Sequence, residues 1–397
     1  MKRLRENSDR RISQSPDKFF RFLLENIDWN NRLIGISGAR GAGKTTLILQ
    51  YLKENFSSSE KAIYLELDDL YFAENSLIDF ADIFYKEGGS LLVLDEIHKY
   101  KGWSHDLKLI YDRYDSLKVV FTSSSALELY KGSHDLSRRL IMYNLPGLSL
   151  REYANFRYGI ELPKISFEQL ITDSRDISFG LPKDLRPIKL FKEYQQYGYF
   201  PFFNDNIDTY HERLLNTLNL ILENDLPIIF NIDFNSVLNL KKLISIIARI
   251  VPYKPNIKKL ADQIGVTRET LLRYLFYLEK AHVFKWVGRD THGINYLNKP
   301  EKLYLQNTNL IYALAEHSAN IGAVRETFVL NQLSVNHNIT YPGIGDFLVD
   351  GRITLEVGGK SKTKKQIAEI KDAYLIKDDI EFGATGIIPI WMLGLLY

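Results

Sequence analysis

The chain has 397 residues, 45% hydrophobic and 25% charged, a balance that fits a large folded core and excludes extensive disorder. One core rarely grows to this length, so roughly two to four domains are expected. Lys and Arg number 51 against 49 Asp and Glu, a net charge of +2 that gives no whole-molecule pointer to nucleic acid or membrane. The lack of cysteine excludes disulfides, thiol catalysis and thiolate metal sites.

Residues 1–16 read as a polar arm, and MKRLRENSDRRISQSPDK lacks the apolar stretch of a secretory signal, so the cytoplasm is the expected location. After Pro16, DKFFRFLLENI carries apolar residues at helical spacing and predicts a short amphipathic helix, giving an arm-and-helix segment over 1–30. From Asn31 the pattern changes. The apolar runs RLIGIS (32–37), AIYLEL (62–67), SLLVLD (90–95), KVVFTS (118–123) and LIMYNL (140–145) alternate with helical stretches, as in a parallel sheet with helices on both faces. The spacing predicts a doubly wound α/β domain over 31–147. A mainly helical lid or connector is expected over 148–238, then helices, a Gly-containing turn and two short strands over 239–300. A small α+β domain over 301–397 has a hairpin signal at Asp350-Gly351. The C-terminal GIIPIWMLGLLY is too short to span a bilayer and reads as buried strand or tail.

The segment Gly38-Ala39-Arg40-Gly41-Ala42-Gly43-Lys44-Thr45, followed by Thr46, satisfies G-x-x-x-x-G-K-[ST] between a predicted strand and a predicted helix. Glycines let successive backbone N–H groups turn inward on phosphate oxygens, and the helix start adds its positive dipole end. Lys44 is expected to reach the β and γ phosphates of ATP, and the Thr45 hydroxyl to ligate Mg²⁺. The strand SLLVLD then delivers Asp95 as a second Mg²⁺-holding group, with Glu96 beside it as the residue that polarises an attacking water. Thr122-Ser123-Ser124-Ser125 puts hydroxyls where ligands bind in open α/β sheets, and Thr122 and Ser124 are candidate γ-phosphate sensors. Helix capping is the competing role. Arg138 and Arg139 are arginine-finger candidates, with a salt-bridged pair as the alternative.

These residues resemble AAA-type ATPases of bacteria and archaea that join a P-loop domain to a winged helix and a C-terminal domain laid out like PD-(D/E)XK nucleases. The resemblance covers nearly the whole chain and rests on GARGAGKTT, LDEIHKYKGW, LKVVFTSSSALEL, DLSRRLIMYNLPGLSLREY, YGYFPFF, RETFV and LEVGGK. It implies Glu96 as the catalytic glutamate, Thr122 to Ser124 as the sensor region and Arg138-Arg139 at the finger position. Ser123 stands where many relatives have glycine.

In 239–300, NIKKLADQI and RETLLRYLFYLEK are joined by Gly265-Val266-Thr267, the composition of a helix-turn-helix, with HVFKWV and GINYLN as candidate wing strands. From Lys254 to Asp290 eight basic residues face four acidic ones, and Lys258, Arg268, Arg273 and Lys285, taken as exposed, are candidate DNA-phosphate contacts. Domain packing is the alternative use.

Glu326, Asp346 and Glu356 resemble the acidic set of the nucleases, but the lysine of the (D/E)-X-K motif is replaced by Gly358. Lys360 lies two residues further along, roughly 6.5 Å away on a strand. A two-residue turn at Asp350-Gly351 would put Asp346 and Glu356 on opposite faces, whereas an odd-length turn would restore a shared face. A nuclease-like domain without cleavage is expected, with KSKTKK (360–365) as a solvated or nucleic-acid-facing surface. The whole sequence thus predicts an ATP-driven conformational switch acting on DNA or a protein, with oligomerisation open. The alternatives are an ATP-gated metal-dependent nuclease and a nucleotide-binding interaction protein with little turnover.

Overall fold

The computed structural model of the chain describes all residues except 57–59, 125–135, 183, 251–255, 290–299 and 316–318, and only the backbone of 249 and 250. It comprises two compact units, Met1–Gly147 and Leu148–Tyr397.

Every apolar run expected as a strand in the first unit is one: β1 (Leu33–Ser37), β2 (Ala62–Glu66), β3 (Leu91–Asp95), β4 (Lys118–Ser123) and β5 (Ile141–Asn144). They form one fully parallel sheet in the order β2-β3-β4-β1-β5. Alternate residues feed two cores. Leu33, Ile63, Leu65, Leu92, Leu94, Val119 and Phe121 face one side, while Ile34, Ile36, Tyr64, Leu91, Val93 and Val120 face the P-loop helix on the other. Full burial of each such Leu, Ile or Val contributes about 1.5–3 kcal/mol, which explains why these strands read as continuous apolar runs. Among the described residues, no helix is long and apolar enough to cross a membrane.

Two expectations near the start of the chain are corrected. The stretch read as a polar arm is a helix over Lys2–Ser13, with Leu4 and Ser8 buried. The amphipathic helix expected after Pro16 shrinks to Leu23–Asn26. The cause is tertiary: the Gln50 amide donates to the carbonyls of Pro16 and Phe19, at 2.9 and 2.8 Å, and so takes up acceptors that a helix would need.

In the second unit, the helices Leu150–Tyr158, Phe167–Gly180, Pro187–Tyr197 and Tyr210–Leu220 bear out the helical character expected of 148–238. Asn256 caps the helix Ile257–Ile264, Gly265 turns the chain at φ 84°, and Thr267 caps the helix Arg268–Lys280. The strand β6 (Phe284–Val287) pairs antiparallel with β7 (Lys302–Leu305). The candidate wing strand GINYLN lies largely outside the described residues. Lys258, Arg268 and Arg273 are exposed, but Lys285 is only partly so, and burial pushes its ammonium down to about 8, against the pull of Glu279. Lys285 is therefore withdrawn as an exposed phosphate contact.

The last sheet runs β12 (Ile387–Pro389), β11 (Ala373–Lys377), β10 (Ile353–Gly358), β9 (Phe347–Val349), β8 (Ile339–Thr340). The β8-β9-β10 meander is antiparallel and β10-β11-β12 is parallel. Val349 pairs with Ile353, so the turn holds the three residues 350–352, with Asp350 and Gly351 both at positive φ. The turn is thus odd in length, but the ladder ends at Phe347–Leu355: Asp346 lies beyond it, with its N–H bonded to the Leu355 carbonyl at 2.8 Å and its Oδ2 accepting the Val357 N–H at 2.9 Å.

Candidate active site

The first candidate site lies at the C-terminal ends of β1, β3 and β4. Beyond Ser37 the chain turns at Gly38, where a Cβ would stand 2.3 Å from the Leu145 carbonyl oxygen, so only glycine fits. Gly43, at φ 95°, opens the helix Lys44–Asn55 and has no side chain to cap it, which leaves the first-turn N–H groups to an external anion. The Lys44 ammonium is folded back on the loop, donating to the carbonyls of Gly38 and Ala39 at 3.0 and 3.2 Å. Ala42 and Lys44 are buried, Gly41 is exposed, and Ala39, Arg40, Thr45 and Thr46 lie between these extremes. Arg21, almost fully buried, donates to the carbonyls of Ala42, Pro146 and Gly147 at 2.5, 2.8 and 3.0 Å and so braces the loop from beneath.

Asp95 ends the wholly buried strand β3. Its Oδ2 accepts from the Thr45 hydroxyl at 2.9 Å and the Tyr64 hydroxyl at 2.7 Å, and its Oδ1 accepts from Thr122. The Thr122 oxygen also accepts the Glu96 N–H at 2.9 Å. Glu96 sits at φ 53°, a left-handed conformation costing roughly 1–3 kcal/mol in a non-glycine residue. That turn carries its carboxylate to Ser124, whose hydroxyl donates to Oε2 at 2.8 Å, and to His98, whose Nε2 lies 3.3 Å from the same oxygen. The other imidazole nitrogen is 3.4 Å from the Ser123 hydroxyl. Burial alone would push the Glu96 carboxyl up, but Lys44, His98 and the Ser124 hydroxyl outweigh it and hold the group below the ordinary carboxylate range.

Thr122 is fully buried and engaged with Asp95 and the Glu96 backbone, so it serves as a brace, whereas Ser124 reaches the carboxylate of Glu96 itself. Ser125 lies outside the described residues. Arg139 is bidentate to Asp112, at 2.9 and 3.1 Å, with its guanidinium 5.7 Å from the Tyr111 ring centre, while Arg138 is exposed. The sequence reading missed Tyr64, His98 and Arg21. Tyr64 is signalled only by a hydroxyl inside an apolar strand, and His98 only by its place two residues after Glu96.

Residues 30–154 match the family described as AAA domain. A second match, to a domain of unknown function (DUF8612), covers residues 188–321. No curated protein matches the chain. Among solved structures, AMPPCP-bound DnaA from Aquifex aeolicus is 16% identical with a TM-score of 0.27, covering 65% of this chain and 84% of its own. PCH-2 of C. elegans is 14% identical with a TM-score of 0.25, covering 70% and 66%. A katanin structure is 15% identical with a TM-score of 0.26, covering 35% of this chain; the chain spans about half of that structure. The parallel sheet, the P-loop and the AAA-domain match together give the first unit a P-loop AAA fold.

Glu326 and Asp346, two of the three C-terminal carboxylates singled out in the sequence, meet at a second site of different character. The Lys302 ammonium, on β7, bonds Glu326 at 3.0 Å and Asp346 at 2.9 Å, and Tyr304 donates to Glu326 at 2.7 Å. Buried Glu356 is paired with Lys362 at 2.5 Å, and Lys360 is exposed and outside the cluster. Burial opposes the charge on Lys302, but the two carboxylates outweigh it and hold the ammonium above the ordinary lysine range. Among the described residues, no three His, Asp or Glu side chains are arranged to hold a metal ion. An ammonium thus stands where the nuclease resemblance implies a divalent ion. Lys302→Met should destabilise the protein by roughly 3–5 kcal/mol, because two part-buried carboxylates lose their counter-charge. Denaturant unfolding measures this, and a change below roughly 1 kcal/mol would mean that the carboxylates are adequately solvated without Lys302.

Proposed function

We propose that the chain is a cytoplasmic AAA-type ATPase that binds and hydrolyses Mg²⁺-ATP and works as a conformational switch on DNA or a protein partner. The observation that carries this reading is the convergence of Thr45, Asp95, Thr122, Glu96 and Ser124 through direct contacts at one edge of a parallel sheet, with Lys44 held on the adjoining loop by the Gly38 and Ala39 carbonyls. The residues suit the ligand chemically. A bare glycine loop before an uncapped helix takes phosphate, Lys44 supplies the mobile cation, and Thr45 and Asp95 would hold Mg²⁺, which neutralises charge on the phosphates. Glu96 then orients water against the γ-phosphate.

The same geometry suggests how binding readies the base. Lys44 lies against the Gly38 and Ala39 carbonyls and helps keep Glu96 ionised. Once its charge is taken up by phosphate oxygens, that pull weakens and the Glu96 carboxylate becomes more basic. Purified protein should show Mg²⁺-dependent phosphate release, followed across a protein concentration series with and without duplex DNA. No release under any of these conditions would reject hydrolysis in favour of a nucleotide-binding interaction protein. Stimulation by DNA would support the helix-turn-helix over 256–280 as a DNA-facing element. The ammonium-filled carboxylate cluster favours the switch over the metal-dependent nuclease.

The two arginines are separable. We assign the finger role to exposed Arg138, because the Asp112 pair engages Arg139. If a neighbouring copy uses that finger, specific activity should rise with protein concentration. Arg138→Ala should then remove roughly 10³-fold of the assembled rate with ATP binding retained, and Arg139→Ala far less. Equal losses in both variants would point to a structural role for the pair.

A further inference from the structure

The helix Lys2–Ser13 lies along β2, the edge strand of the parallel sheet. An edge strand has outward-facing N–H groups that need acceptors, and the fully buried Ser8 hydroxyl supplies one, accepting the Tyr64 N–H at 3.0 Å. Arg11 pairs with Glu66 at 2.7 Å and rests against Tyr64, its guanidinium 5.9 Å from the ring centre. Arg3 pairs with Asp69 and Arg5 with Glu87, so charges secure the helix at both ends.

Tyr64 and Glu66 are two residues apart on β2 and share a face, and Glu66 stands opposite Asp95 in the parallel register. The Tyr64 hydroxyl has one proton. It is 2.7 Å from the Asp95 carboxylate and 3.3 Å from that of Glu66, so Asp95 takes the hydrogen bond. Arg11 decides this competition by satisfying Glu66. Without Arg11, the Glu66 carboxylate would be left facing Asp95 and would compete for the phenol proton.

We propose that the helix Lys2–Ser13 sets the Mg²⁺ requirement of the nucleotide site, with Tyr64 as the positioning residue that orients Asp95 and Arg11 as the group that keeps Tyr64 on it. The proposal rests on Asp95 being the Mg²⁺-holding carboxylate. Its physical basis is the sequence of contacts Arg11 to Glu66 and Tyr64, Tyr64 to Asp95, and Asp95 to Thr45. The ion pairs that secure the helix are largely solvent-exposed and therefore weak singly, so a partner or high salt that displaces the helix would loosen Asp95.

The test is ATP turnover at saturating nucleotide as Mg²⁺ is varied, in wild type, Tyr64→Phe, Arg11→Ala, Arg11→Lys and the Arg11→Ala/Tyr64→Phe double variant. Loss of the phenol hydroxyl should raise the Mg²⁺ concentration for half-maximal turnover roughly tenfold, as removal of groups that orient a metal-holding residue commonly does. Arg11→Ala should raise it roughly threefold, within the range of one exposed ion pair, and Arg11→Lys should restore most of it. The double variant should match Tyr64→Phe alone, because Arg11 acts through the phenol. Binding of a fluorescent ATP analogue in EDTA should be the same in all five proteins, which a merely unstable variant would not achieve. An unshifted Mg²⁺ requirement in Tyr64→Phe and Arg11→Ala, or additive shifts in the double variant, would overturn the proposal while leaving the ATPase reading intact. Wild-type protein with no Mg²⁺-dependent turnover would instead defeat the ATPase reading and this proposal with it. Should Tyr64→Phe fail to fold, the half-buried Arg11 pair of variants still decides the matter.

Discussion

Glu96→Gln protein is expected to bind ATP at least as tightly as wild type and to turn it over roughly 10²- to 10⁴-fold more slowly, the usual cost of removing a positioned base. The amide keeps the size of the side chain and can still accept from Ser124 and the imidazole, so the local geometry should survive. What is lost is the charge that draws a proton from water. Binding should hold or tighten, because a carboxylate near a γ-phosphate repels it. The pH profile of the wild type gives a second reading of the same residue. In the free protein Lys44 helps keep Glu96 below the ordinary carboxylate range, so the acidic limb of kcat/KM, which reports the free enzyme, should lie low. With ATP bound, Lys44 is engaged by phosphate and its pull weakens, so the acidic limb of kcat should lie higher. Steady-state turnover measurements on both proteins check this, and near-wild-type turnover in Glu96→Gln would mean that another group orients the water.

The proposed nucleotide site was legible as a structural arrangement because it is built mainly from contiguous sequence. Gly38 to Thr45 and Leu91 to Glu96 each carry strand, turn and functional group in one stretch, and a parallel sheet brings the C-terminal ends of such strands together. Tyr64 was not legible in this way. Its role depends on β2 lying beside β3 in register, which places Glu66 opposite Asp95, and no local pattern announces that pairing. The helix Lys2–Ser13 was missed because few of its residues are apolar. It is held by Leu4, Ser8 and a set of arginine ion pairs, which a reading of hydrophobic periodicity does not register.

The C-terminal carboxylates show how sequence order can mislead about a lysine. Position 358 is glycine and Lys360 is exposed, while Lys302 bonds Glu326 and Asp346, and Lys362 pairs with Glu356. Lys302 is 24 residues before Glu326 and 44 before Asp346, so only the tertiary fold brings it there. The hairpin is a matter of counting. Asp350-Gly351 does mark a turn, but with Arg352 included the turn has three residues, which shifts the register by one from that of a two-residue turn.

Lys44→Ala should abolish most of the stabilisation that Mg²⁺-ATP gives to the fold. A ligand bound only by the native state stabilises it by about 2.7 kcal/mol at a hundredfold above its Kd, a shift readily seen in the melting temperature of the wild type. The variant loses the cation that would meet the β and γ phosphates, so at the same ATP concentration its shift should be a small fraction of the wild-type value. The unliganded fold is a harder question, and the contacts decide its sign. Lys44 is buried, and its ammonium donates to the Gly38 and Ala39 carbonyls, so truncation to a methyl group leaves those acceptors unpaired but also relieves the burial of a charge. These effects oppose each other, and the melting temperature without nucleotide should change much less than the ATP-induced shift. Differential scanning fluorimetry on both proteins, with ATP, with Mg²⁺-ATP and with neither, separates the two effects. A full Mg²⁺-ATP shift in Lys44→Ala would remove Lys44 from the site.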